Sequence, residues 1–125
     1  MEYTIGNFAL RGNTTGTKNI GLGYAALNNN LTGYQNNTFG NETLHNNTDG
    51  DYNITDCNVA IGRSSLYCNT RGINNIGHGV RASFFNTTGN SNISMGHEAG
   101  YGNGFTSSSG NILIGYRAGY QKYKL

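Results

Sequence analysis

The sequence predicts an all-β protein, a parallel β-solenoid of seven coils of about 17 residues, with residues 1–125 forming a single repeat domain. Two observations predict it. A Gly preceded by an apolar residue and followed three places on by a small one recurs at Gly6, Gly23, Gly40, Gly62, Gly79, Gly96 and Gly115, at spacings of 17, 17, 22, 17, 17 and 19 residues. In register with it run two columns that are nearly pure Asn. A fixed period near 20 residues that fills the chain marks a stacked array and outranks any local reading.

Each unit opens with a strand. Three residues before the anchor Gly stand Ile20, Val59, Ile76, Ile93 and Ile112, with Tyr3 and Asn37 as exceptions. Immediately before it stand Ile5, Leu22, Phe39, Ile61, Met95 and Ile114, with His78 as the exception. The residue between is mostly small or polar: Thr4, Gly21, Thr38, Ala60, Gly77, Ser94. Apolar, small, apolar reads as a short strand with one face turned inward. A corner follows, with Ala9, Ala26, Thr43, Ser65, Ala82, Ala99 and Ala118, then Leu10, Leu27, Leu44, Leu66, Ser83, Gly100 and Gly119. The unit closes on a turn such as Asn13-Thr-Thr-Gly16 or Asn86-Thr-Thr-Gly89, where Gly is expected to take a positive φ and Asn to bond its own turn backbone. About two short strands per coil are expected.

The Asn columns call for stacking. One is Asn19, Asn36, Asn58, Asn75, Asn92 and Asn111; the other is Asn13, Asn30, Asn47, Asn69, Asn86 and Asn103. An amide carries a donor and an acceptor, so it can bond both up and down a ladder with rungs about 4.8 Å apart. Seven coils at that spacing make a rod roughly 34 Å long. Such a rod encloses little volume, and a thin core argues for lateral association, as in a trimer.

Composition excludes other classes. Asn, Gly and Thr together fill 54 of 125 positions, which disfavours helices. No run of apolar residues is long enough for a transmembrane helix, so no membrane insertion is expected. No charged n-region and apolar h-region open the chain, so no signal peptide is expected. A net charge of +2, thinly spread, is not a nucleic-acid footprint.

The strings Asn19-Ile-Gly-Leu-Gly-Tyr-Ala-Ala-Leu27, Asn58-Val-Ala-Ile-Gly-Arg-Ser-Ser-Leu66 and Asn111-Ile-Leu-Ile-Gly-Tyr-Arg-Ala-Gly119 resemble head repeats of trimeric autotransporter adhesins. They are similar, too, to the Asn-Thr-Ala-Leu-Gly-Tyr repeats of bacterial surface proteins and of phage or large-virus fibres. The resemblance spans all seven units. It implies a left-handed β-roll, usually trimeric, on a cell or virion surface. The 17-residue unit departs from the shorter adhesin repeat, and stalk heptads and a membrane anchor are absent from the sequence.

Little in the chain points to catalysis. His45, His78 and His97 fall in three different columns, no His, Cys and carboxylate cluster has metal spacing, and no Ser sits in a nucleophile elbow. The chain therefore reads as a non-enzyme with no cofactor and no metal ligand set. His78 sits in an apolar strand column, as a core or interface His, or as one of three copies around a trimer axis holding an ion. Cys57 and Cys68 flank one strand, and in an extracellular protein two Cys normally pair, so a Cys57–Cys68 disulfide is expected.

Eight N-glycosylation sequons occur. Asn41, Asn46 and Asn53, crowded into the third unit and the five-residue insertion, are the better acceptors. Asn13, Asn30, Asn36, Asn86 and Asn92 belong to the Asn columns and cannot carry a glycan if those ladders point inward. The nine Tyr do not share one column, which reads as surface or lateral contact, with glycan or receptor adhesion as the alternative.

The leading functional expectation is a structural subunit of an extracellular fibre or filament, glycosylated and self-associating. An adhesin or receptor-binding fibre head is the alternative, with Tyr116 to Leu125 as the candidate patch. An ice-binding solenoid ranks third, because Thr14, Thr48, Thr70 and Thr87 give way to Leu31 and Gly104 in their column. The open first and last units add an expectation of head-to-tail stacking.

Overall fold

The computed structural model describes residues 1–48, 57–102 and 106–121. Seven three-residue strands stack in chain order into one parallel sheet: β1 Tyr3–Ile5, β2 Ile20–Leu22, β3 Asn37–Phe39, β4 Val59–Ile61, β5 Ile76–His78, β6 Ile93–Met95 and β7 Ile112–Ile114. Register follows the repeat, pairing Tyr3 with Ile20, Asn37 with Val59 and Ile93 with Ile112. The fold is a β-solenoid, and both insertions lie between strands and leave the pairing intact.

The coil holds one described strand rather than the expected two. Beyond the anchor Gly, successive coils still bond backbone to backbone, as from Leu10 N to Ala26 O at 2.9 Å and Gly12 N to Asn28 O at 2.8 Å. Left-handed residues break this stretch. In the fourth coil Ser64 has φ 56° and Leu66 φ 51°, and the same two corner positions are left-handed in every coil. The chain turns there too sharply to count as a strand. The anchor itself must be Gly: Gly23 has φ +136°, and a Cβ on it would collide with the carbonyl of Gly40 in the next coil. At the closing turns Asn13 and Asn86 bond their own turn backbone as expected, whereas Gly16 and Gly89 are not among the left-handed glycines.

Facing is the main departure from expectation. The middle residue of each strand points inward, and Thr38, Ala60 and Ser94 are fully buried. The flanking apolar residues point outward: Ile5 is 73% exposed, Ile114 66%, Phe39 41% and Met95 38%. The interior is too narrow for both sets. It is filled by Leu10, Leu27, Leu44 and Leu66 from the corner, each against the small strand centre of the following coil. Leu10 lies over Gly21, where a Cβ would sit 3.5 Å from Leu10 Cγ, and Leu66 over Gly77 at 3.1 Å. Where the corner residue shrinks, the strand centre changes with it. Ser83 and Ser94 share a hydroxyl hydrogen bond of 2.6 Å, and Gly100 faces Leu113.

Both Asn columns are buried ladders. In one, each amide Nδ2 donates to Oδ1 of the preceding rung: Asn30 to Asn13 at 2.9 Å, Asn47 to Asn30 at 2.8 Å, Asn69 to Asn47 at 3.0 Å, Asn86 to Asn69 at 3.0 Å. In the other, Oδ1 accepts from the backbone N of the next rung, as Asn58 Oδ1 does from Asn75 N at 2.9 Å and Asn92 Oδ1 from Asn111 N at 3.0 Å. Its Nδ2 groups close the turns, Asn19 onto Gly33 O at 2.7 Å and Asn58 onto Gly72 O at 2.8 Å. The amide donors of the first ladder and the backbone N–H donors of the second run toward the first coil, and there one carboxylate meets both columns. Glu2 accepts from Asn13 Nδ2 at 2.9 Å and from Asn19 Nδ2 at 3.4 Å. Asn103 lies outside the described residues.

Candidate functional site

Two surfaces stand out, one apolar and one grooved. The first is the outer face of the sheet. Tyr3, Ile20, Asn37, Val59, Ile76, Ile93 and Ile112 form one column, and Ile5, Leu22, Phe39, Ile61, His78, Met95 and Ile114 the other. Only Asn37 and His78 interrupt the apolar and aromatic run. The strip is about 29 Å long, six steps of roughly 4.8 Å. His78 is therefore not in the core: it is exposed on this face, between Ile61 and Met95 on the neighbouring strands.

The second surface is an axial groove in the third to sixth coils, with a volume of about 340 Å³. One wall is a ladder of stacked rings from a single column, five residues after each anchor Gly. His45 lies 5.0 Å from Tyr67, Tyr67 5.0 Å from Phe84, Phe84 5.6 Å from Tyr101 and Tyr101 5.4 Å from Tyr120. The sequence carries this signal in Tyr67, Tyr101 and Tyr120, which share a column that the sequence reading passed over. Each inner ring has a neighbour on either side along the axis, and Tyr67, Phe84 and Tyr101 line the groove. Burial, then the nearby Glu42 and Cys68 charges, push the Tyr67 phenol up, so it stays protonated as a donor.

The other wall carries charge. Glu42, Ser64, Arg81, Glu98 and Arg117 occupy one column, and Arg63 stands beside Ser64. Glu98 is buried between two guanidinium groups, 2.8 Å from Arg117 Nε and 3.4 Å from Arg81 Nη1. Burial raises its carboxyl, but the Arg117 hydrogen bond, the Arg117 and His97 charges and the Arg81 hydrogen bond outweigh that and hold it below the usual glutamate range. Arg117 also lies over the Tyr116 and Tyr120 rings, at 5.2 and 4.8 Å.

The other sequence-predicted sites scatter. The expected Cys57–Cys68 bridge is not formed: both are free thiols. Cys57 sits before β4 at a left-handed corner with Sγ donating to Gln35 Oε1 at 3.3 Å, while Cys68 follows the aromatic column with its backbone bonded to Phe84 O. Strand β4 and the next corner separate the two. Burial pushes the Cys68 thiol up. Of the sequons, Asn30, Asn36, Asn86 and Asn92 are buried ladder rungs and Asn13 is half-buried. Asn46 is half-buried with Oδ1 accepting from Asn29 Nδ2 at 3.1 Å. Asn41 is exposed, and Asn53 lies outside the described residues.

Among the described residues no His, Cys, Asp and Glu group of three or more is placed to hold a metal, and no helix is long and apolar enough to cross a membrane. Comparison of the chain with protein-family models, with curated proteins and with solved structures finds no match.

Proposed function

We propose that this protein is a structural subunit of an extracellular fibre, built by copies of the solenoid packing side by side. The observation that carries this reading is the outer apolar face. A chain whose interior is filled by corner Leu residues, small strand centres and Asn ladders places the Ile, Phe and Met residues of its strands outside, in two columns interrupted only by Asn37 and His78. Fourteen outward side chains offer on the order of 800 Å² per chain, the share one partner contributes to a stable interface. Soluble monomers rarely leave so continuous a patch uncovered. Lateral contact is favoured over end-to-end contact, because Glu2 already fills the acceptor positions that a preceding ladder rung would supply.

The surface location draws on the repeat's resemblance and on the exposed sequon at Asn41, the glycan acceptor this reading favours. Electron microscopy of native material, with light scattering of the purified chain, tests the reading. Multi-chain rods are expected; particles of one 13.4 kDa chain at high concentration would overturn it.

The groove favours a second reading, a receptor- or glycan-binding fibre head. Tyr67 and Tyr101 on one wall and Arg63 and Arg81 on the other suit an acceptor-rich chain such as an acidic oligosaccharide. Titration with such oligosaccharides, with Arg63→Ala and Arg81→Ala as controls, tests it. Saturable binding lost in both variants supports it, and no binding rejects it.

A further inference from the structure

The charges along the axial groove divide into a closed set and an open pair. Glu98 is taken up by Arg81 and Arg117, at 3.4 and 2.8 Å. Glu42 and Arg63 line the groove as well, and among the described residues neither enters an ion pair. Glu42 accepts one long hydrogen bond, from Ser64 Oγ at 3.4 Å. The two open charges stand on successive coils, a rise of about 4.8 Å, comparable with the width of one pyranose ring. Arg81 joins Arg63 at the next level, its backbone N donating to Arg63 O at 3.0 Å. It gives Glu98 one Nη1 hydrogen bond and keeps further donors. Ser64 falls between Glu42 and Arg81 in their column, and its short side chain keeps the wall low there.

The rings on the opposite wall narrow the ligand class. Tyr67 stacks on His45 at 5.0 Å with 10° between the planes, and on Phe84 at 5.0 Å with 1°. Both faces of its ring are covered, so a neutral sugar finds no open face at Tyr67 on which to lay its C–H surface. Recognition falls to the charges. A carboxylate suits the guanidinium fork. Glu42 calls for a donor, and an O–H on a carboxylate makes a charge-assisted hydrogen bond. A sugar acid carries both groups within one ring. An acidic peptide side chain has no hydroxyl beside its carboxylate, and a polyanion would bring a second negative charge against Glu42. The volume of about 340 Å³ lies at the small end of ligand pockets, roughly 300–1,000 Å³. Resting on the groove-binding reading, we infer that the groove takes a single acidic sugar unit of an otherwise neutral glycan, with the sugar carboxylate on Arg63 and Arg81 and a neighbouring hydroxyl donating to Glu42.

Titration calorimetry of the full chain with four probes tests the site. They are a trisaccharide of one glucuronate between two neutral hexoses, the same trisaccharide with glucose in place of glucuronate, a fully sulfated hexasaccharide, and hexa-aspartate. The glucuronate probe should bind saturably and at least about 10-fold more tightly than each of the others, the worth of one charge-assisted hydrogen bond. Arg63→Ala and Glu42→Gln should each weaken it at least about 10-fold, with circular dichroism unchanged. The sign at Glu42 is decisive, because a carboxylate that only repelled anions would give tighter binding once neutralised. Equal or tighter binding in Glu42→Gln, or another probe that matches the glucuronate trisaccharide, would overturn the single-acid site and leave the groove-binding reading standing. No binding of any probe would overturn both.

Discussion

Gly100 leaves open the space that Leu113 fills: a Cβ on Gly100 would lie 3.2 Å from Leu113 Cδ1. Everywhere else among the described coils this relation is level or reversed, with Leu10 over Gly21, Leu66 over Gly77 and Ser83 beside Ser94. The interior is thus a sum rule between the corner of one coil and the strand centre of the next. Gly100→Leu should overpack and cost about 1–3 kcal/mol, although its φ of +65° is close to that of Leu27 at 52°. Leu113→Gly alone should also destabilise. The swap, Gly100→Leu with Leu113→Gly, should be milder than the two effects added, with a coupling of about 1 kcal/mol or more in urea unfolding.

The Asn ladder predicts a large cost for one amide. Asn47 donates to Asn30 at 2.8 Å and accepts from Asn69 at 3.0 Å, fully buried. Asn47→Ala removes both bonds and strands the Oδ1 of Asn30, at about 2–4 kcal/mol. Chemical denaturation should show it, whereas Thr88→Ala, exposed two places after the ladder rung Asn86, should change stability by less than about 0.5 kcal/mol.

Backbone strain gives a test independent of packing. Ser91 is exposed with φ 55°, in the left-handed region. Ser91→Gly should be neutral or stabilising by up to about 1 kcal/mol, and Ser91→Ile destabilising by about 1–2 kcal/mol, because a β-branched residue resists that conformation. Equal thermal midpoints for the two variants would contradict the corner geometry.

Glu98 sets an acid limit. Its folded carboxyl is held below the ordinary value, so the unfolded chain takes up its proton first as pH falls. The stability it contributes is complete above about pH 4.5 and is lost as pH drops through the folded value. Glu98→Gln should flatten the decline in stability below about pH 4.5, measured by urea midpoints across pH. An unchanged slope would count against the Arg81–Glu98–Arg117 cluster as drawn.

The period, the two Asn columns and the insertion sites were legible in the sequence, because stacking makes each coil's register a copy of the last. The facing of the strands was not. A two-residue alternation such as Ile76-Gly77-His78 is the same whichever face is buried, and the habit of burying Ile fails when the enclosed space admits little more than one Leu per coil. The size complement between Leu66 and Gly77 was the available clue, and it needs two adjacent coils to be read together. The aromatic ladder escaped for a related reason. Tyr67, Tyr101 and Tyr120 align only when counted forward from the anchor Gly, and His45 and Phe84 complete the stack without being Tyr. The disulfide expectation rested on pairing statistics, and in the structure both thiols are free.

Sedimentation equilibrium of the unmodified chain, beside Ile61→Lys, tests the central claim most directly. Ile61 points out of the sheet, so its replacement should leave each coil folded while placing a charge in the proposed contact. The account predicts a mass of two or more 13.4 kDa chains for the unmodified protein, and 13.4 kDa for the variant, with matching circular dichroism. An unmodified chain that sediments at 13.4 kDa at every concentration would contradict it.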